Sequence, residues 1–240
     1  FALGSLNLSN SDVQGRVAAA GDVQLANYSV GLLEAGSSGD ALVAGGSLTY
    51  GNGQVYGGDV AWGTSAQLSG VTIIEGVSYQ GSPIDFVTEA SYLGALAAEL
   101  ATLDDNGTVT IPPWNAITLD GSDPELNVFT VPAGNLSQAT SFTIHAPAGA
   151  SVLVRVPGTA VTLQNFGFTL DGVDAEHLLF VLPEATSLVM QSLGMKGTVL
   201  APSATVQFNN GQHDGALIAA SVQGNGQSHR YLYAGCLPAP

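Results

Sequence analysis

Five segments of the chain share one pattern: an apolar stretch, a corner of small residues, then a polar residue leading into further apolar positions. The pattern reads RVAAAGDVQL at 16–25, ALVAGGSLTY at 41–50 and QVYGGDVAWG at 54–63, and it returns as TVLAPSATVQF at 198–208 and ALIAASVQG at 216–224. Its intervals are irregular, so it is not a strict sequence repeat. Short strands joined at small-residue corners predict the stacked coils of a β-solenoid, since a sandwich would show longer alternating strands. The 31 glycines suit such corners, and a hydrophobic fraction of 45% supplies a core.

Between these two groups lies the one stretch that predicts a long helix, SPIDFVTEASYLGALAAELATL at 82–103. Ser82 is placed to cap it, Pro83 suits the first helical position, and Asp85 follows three residues after the cap. Leu93, Leu96, Leu100 and Leu103 form an apolar stripe, flanked by Phe86, Ala90 and Ala97, which needs a large surface to cover. From 108 to 193 alternation is clearer, in TVTIP, LNVFTVP, SFTIHAP, SVLVRVP, AVTLQNFGFTL, HLLFVLP and SLVMQSL. Phe142, Ile144, Val152, Val154, Val156, Leu179 and Val181 are the predicted inward set. No linker or low-complexity break interrupts the chain. The expected architecture is mainly β: a right-handed β-solenoid (β-helix), a single domain over 1–240, with one long helix at about 82–103 packed along its flank.

Four Lys plus Arg stand against nineteen Asp plus Glu, a net charge of −15, and Arg16, Arg155, Lys196 and Arg230 form no cluster. Nucleic acid needs several phosphate contacts and is excluded as a partner on this ground. An anionic membrane surface is equally disfavoured, and no apolar run is long enough to span a bilayer. Cys236 is the only cysteine, so it is either a plain thiol or one half of an intermolecular disulfide in an oxidising compartment. A chain that starts at Phe1 without Met reads as a mature form whose export signal has been removed.

Two runs are specific enough to carry a resemblance: SDVQGRVAAAGDVQLANYSVG at 11–31 and GTVLAPSATVQFNNGQHDGALIAASVQG at 197–224. They resemble the opening and closing segments of the choice-of-anchor A domain, a family of exported bacterial surface proteins. The order of early coils, one long helix and remaining coils is also similar to the ice-binding-type β-solenoid. The resemblance implies a secreted, extracellular or cell-surface location and transfers no catalytic residues. After Cys236 only LPAP follows, so a surface anchor is expected to have been removed or to be lacking.

Candidate sites are sparse. His145, His177, His213 and His229 are scattered and make no zinc motif. Asp171, Asp174 and Glu176 offer paired carboxylates for acid–base work, against a plainer reading as solvated turns. No cofactor is expected; calcium is the most plausible metal, since Asp104, Asp105, Asp120 and Asp123 offer oxygen ligands in turns, but ordinary helix termination and a β-turn explain both. An ice-binding face would need a regular array of Thr, Ser or Ala, and Thr108, Thr110, Thr140, Thr143, Thr159 and Thr162 do not project one from their spacing. Self-association is the further expectation. Phe1, Ala2 and Leu3 could add to a neighbour's end coil, with Cys236 as a second contact, or could complete the first coil of their own subunit. The expected function is non-enzymatic: a structural or adhesive surface protein, assembling end to end or meeting a surface or matrix partner. A ligand-binding module for glycan or ice is the alternative, and a carbohydrate-active enzyme the third reading.

Overall fold

The computed structural model describes residues 1–238. Its strands stack as parallel coils with three faces. Eight-residue strands such as Leu6–Val13, Val23–Val30, Leu48–Val55 and Ala66–Ile73 each cover two faces. They bend at their fifth residue, where Asn10, Asn27, Asn52 and Gly70 take positive φ of 55°, 51°, 54° and 67°. Asn and Gly tolerate this left-handed conformation, and a single such residue turns an extended strand through a corner. The short strands Val17–Ala19, Asp40–Ala44, Asp59–Trp62 and Ser78–Gln80 supply the third face of the same coils.

The coils do not stack in chain order. The long sheet runs Leu126–Thr130, Ser151–Arg155, Leu178–Val181, Thr198–Asn209, Leu217–Gly224, Leu6–Val13, then Val23–Val30, Leu48–Val55 and Ala66–Ile73. The chain thus enters in mid-stack and winds to one end. It returns to the far end through the helix, then winds back until Leu217–Gly224 docks on Leu6–Val13 in the register Leu6↔Val222, Asn7↔Gln223. A rise of 1.5 Å per residue lets the 15-residue helix Phe86–Leu100 reach across about 22 Å of stack.

The predicted stripe is the buried one. Ala97 and Leu100, with Leu93, Leu96 and Leu103, cover Val128, Leu153, Leu179, Val181 and Leu200, while Phe86 covers Val43 and Ala61. That sheet is apolar on both sides, so Ser151–Arg155 and Leu178–Val181 read as continuous buried runs. Here the predicted inward set needs correction: Leu179 and Val181 lie under the helix, and Leu178 and Phe180 point into the solenoid core. The helix is also shorter than predicted. Asp85, not Ser82, is its cap, with a carboxylate that accepts from the Thr88 amide at 3.2 Å and the Thr88 hydroxyl at 2.7 Å. Asp85→Ala is expected to lower the melting temperature and Ser82→Ala to leave it unchanged, a difference that a pair of thermal melts reads directly.

The N-terminal segment does not lie on an end coil. Ala2 pairs in parallel with both Ala19 and Ala219, its amide donates to Ala18 O, and the Leu3 amide donates to Ala219 O. Phe1–Leu3 therefore closes the seam of its own molecule, and the expectation that it adds to a neighbour is corrected, since both of its edges are already taken.

Candidate functional site

With one face covered by the helix, two remain open. The first is built by the leading half of each long strand and by Ala160–Gln164 and Ser187–Gln191. Pairing aligns its outward residues into columns. The central column runs Thr162, Val189, Gln207, Gln223, Asn7, Gln24, Thr49, Gln67, one residue per coil. One neighbouring column holds Ala160, Ser187, Thr205 and Ser221, and the other holds Gln164, Gln191 and Asn209, then Ser9, Ala26, Gly51 and Ser69. None of these residues is charged; the first neighbouring column continues to the exposed Asp22, beside Val23, whose carboxylate accepts the Ser47 amide at 2.8 Å. Strands spaced by about 4.8 Å make the central column about 34 Å long. Hydroxyls and amides bond along the stack: Ser221 Oγ to Thr205 Oγ1 at 3.3 Å, Ser65 Oγ to Ser47 Oγ at 3.1 Å, and at the corner Asn27 Nδ2 to Asn10 Oδ1 at 3.0 Å. Inward neighbours such as Leu25, Leu48, Leu188 and Val206 are fully buried and hold the outward side chains in one plane.

The remaining face differs along its length. Thr110, Thr118, Thr143 and Thr169 stand in one column, a regular threonine array that linear spacing did not reveal. Beside it, however, runs the charged column Thr108, Asp120, His145 and Asp171, in which His145 Nδ1 meets Asp171 Oδ2 at 3.0 Å. Further along the same face Lys196 and His229 converge on the nearly buried Asp214, with His229 Nδ1 at 2.7 Å. Burial pushes the Asp214 carboxyl up, but the hydrogen bonds from Lys196 and His229 outweigh it and hold the group below the usual range. Glu34 behaves alike: burial raises it, and Arg16 at 3.0 Å, Ser37 and Arg230 at 2.7 Å hold it low. Arg155 pairs with Asp105. All four cations of the chain are thus consumed in internal pairs, and the open faces carry no basic patch.

The calcium candidates are not brought together. Asp105 accepts from Arg155 and Thr130, Asp123 accepts from the amides of Glu125 and Leu126, and Asp120 stands in the charged column. No hydrogen bond ties Asp104 to them, and the described residues hold no group of three or more His, Cys, Asp or Glu positioned for a metal. Asp171 is bonded to His145, while Asp174 caps the short helix Ala175–His177 and bonds His177 Nδ1 at 2.8 Å. Cys236 is an exposed free thiol whose amide donates to Ser151 Oγ at 2.7 Å.

His213 lies wholly inside the solenoid. Its Nε2 donates to Gly197 O at 2.7 Å, Nδ1 has no partner, and burial lowers its pKa to about 4. An unfolded histidine titrates near 6.5. Between these values the unfolded chain binds the extra proton, so stability falls as pH falls from about 6.5 to about 4, by about 3 kcal/mol at roughly 1.4 kcal/mol per unit. Denaturant unfolding across that window is expected to show this slope, and His213→Gln, which keeps a donor but does not titrate, to remove it.

The comparisons place the chain in a family. Residues 1–230 match the model described as "Putative Ice-binding-like adhesive domain", and the chain belongs to that family. The match does not name the choice-of-anchor A domain. No curated protein sequence is significantly similar to the chain. Among solved structures it is similar to the ice-binding protein of the Antarctic ascomycete Antarctomyces psychrotrophicus, at 14% identity over 96% of this chain and 94% of that one, TM-score 0.45. An ice-binding protein from an Antarctic biological consortium gives 14% identity over 79% and 86%, TM-score 0.44. One from an Antarctic Flavobacteriaceae bacterium gives 10% over 98% and 82%, TM-score 0.38. The family is one of adhesive binding domains, and no helix among the described residues is long and apolar enough to cross a membrane.

Proposed function

We propose that this domain adsorbs to ice through the flat face centred on Asn7 and Gln24. The observation that carries the reading is the column-ordered plane itself, whose central column is uncharged and whose margin holds the single acid Asp22, in a family described as ice-binding-like and adhesive. A charged group holds its own hydration shell and resists incorporation into a water lattice. Hydroxyl, amide and methyl groups repeated every strand spacing instead order the first water layer with the period of the sheet. The threonine column on the other open face is the weaker candidate, because Asp120, His145 and Asp171 stand beside it. A glycan reading is less well supported, since no aromatic side chain projects from the columns of the flat face for a sugar ring to stack on. An extracellular location accompanies the proposal, as ice and other solid surfaces lie outside the cell. The test is crystal shaping and thermal hysteresis in a solution of the purified chain. Faceted crystals with a measurable freezing gap are expected, and round crystals with none would overturn the reading.

A further inference from the structure

The two ends of the solenoid are built differently. At the far end the outermost coil is covered on each of its faces by a short segment. Asn106 bonds the edge of Leu126–Thr130, giving its amide to Val128 O at 3.2 Å and accepting the Val128 amide on Oδ1 at 2.7 Å. Thr108–Thr110 lies antiparallel along Ala116–Asp120, and the short helix Ala133–Leu136 packs against Ala160–Gln164. At the other end nothing covers the last coil. Ala66–Ile73 pairs only with Leu48–Val55, and Ser78–Gln80 only with Asp59–Trp62. Strand alternation, with Leu48 donating to Ser65 O, turns the amides of Ala66 and Leu68 to the bare edge. Leu68 is 38% exposed, whereas Tyr50, its partner one coil earlier, is at 1%; Ile74 and Val77, in the turn that follows the strand, are 51% and 63% exposed.

Exposed edges are normally guarded by lysine, proline or inward charge. Residues 64–81 contain none of the first two and a single charged side chain, Glu75, whose carboxylate accepts from the Gly36 amide. In a chain of net charge −15, two such ends meet with little local like-charge repulsion. The capped end offers only the outer edge of the three-residue strand Thr108–Thr110, on the face away from the flat one, so head-to-tail growth lacks a matching acceptor. A like end does have one. A two-fold axis through the flat face sets Ala66–Ser69 antiparallel to its own copy, which satisfies the free amides of Ala66 and Leu68 in both copies and covers Leu68.

We propose that the uncapped last coil is a self-association surface, and that two copies join end to end through it and close as a dimer. On the ice reading above, the two flat faces then continue in one sheet and the binding plane doubles in length. The test is mass in solution by sedimentation, from dilute to the highest soluble concentration. Wild type is expected at twice 24.2 kDa at high concentration. Leu68→Lys and Val77→Lys set like charges across the axis and are expected at 24.2 kDa, each folded by circular dichroism. Tyr92→Lys, on the exposed side of the helix, keeps the dimer. Wild type at 24.2 kDa throughout, a dimer indifferent to both end-coil lysines, or an open series of larger species would each overturn the proposal. A monomer that still shapes ice overturns the dimer and leaves the ice reading standing.

Discussion

Phe142→Ala lowers the free energy of unfolding by about 3–5 kcal/mol, the usual range for emptying a fully buried phenylalanine site. Phe142 has no exposed surface and sits among Phe168, Phe180 and Phe166 with ring centroids 5.2, 5.8 and 6.4 Å away. These rings come from two successive coils and fill the interior just after the helix hands the chain back to the stack. The parallel ladder fixes the strand spacing, so the coils cannot close over the void. Urea unfolding is expected to show a lower midpoint with unchanged slope. A loss under 1 kcal/mol would mean that the interior collapses around the gap and that the ladder is softer than described.

Asn7→Tyr leaves stability within about 0.5 kcal/mol of wild type, since the position is exposed and tyrosine suits a strand. Thermal hysteresis is nevertheless expected to fall at least tenfold. Asn7 is a central point of the flat face, between Gln223 and Gln24 on the adjacent coils. A ring raised above that plane holds the flanking columns away from a rigid surface, which cannot adapt as a flexible partner would. A change away from that face, Tyr92→Ala on the exposed side of the helix, is expected to have no effect. Equal losses at both positions would place adsorption elsewhere on the molecule.

The coils and the helix were legible because each obeys a local rule. Alternation marks the strands from Thr108 onward, and the leucine stripe marks the helix face that covers Leu153 and Leu200. The cap was misplaced because Ser82-Pro83 and Asp85 both satisfy capping chemistry, and the structure chose the later one. Leu179 and Val181 were misassigned because a strand buried on both sides loses its alternation.

The flat face was not found, although it has a signature: two outward residues between apolar ones, then a corner residue able to take positive φ. It reads LNLSN at 6–10, VQLAN at 23–27, LTYGN at 48–52, AQLSG at 66–70, VTLQN at 161–165, LVMQS at 188–192 and VQFNN at 206–210. A search for threonine arrays passes over it, because the repeated chemistry is amide, hydroxyl and small residue. The order of the coils is harder to read. That Leu6–Val13 neighbours Leu217–Gly224 follows from the helix and its flanking segments carrying the chain back past the entry coil, and no local pattern encodes that distance.

Partition of the fluorescently labelled chain between liquid and slowly growing ice tests the central claim most directly. The account predicts that wild type is enriched in the ice and that Asn7→Tyr stays in the liquid. Exclusion of wild type from the ice, to the same extent as an unrelated acidic protein, would contradict it.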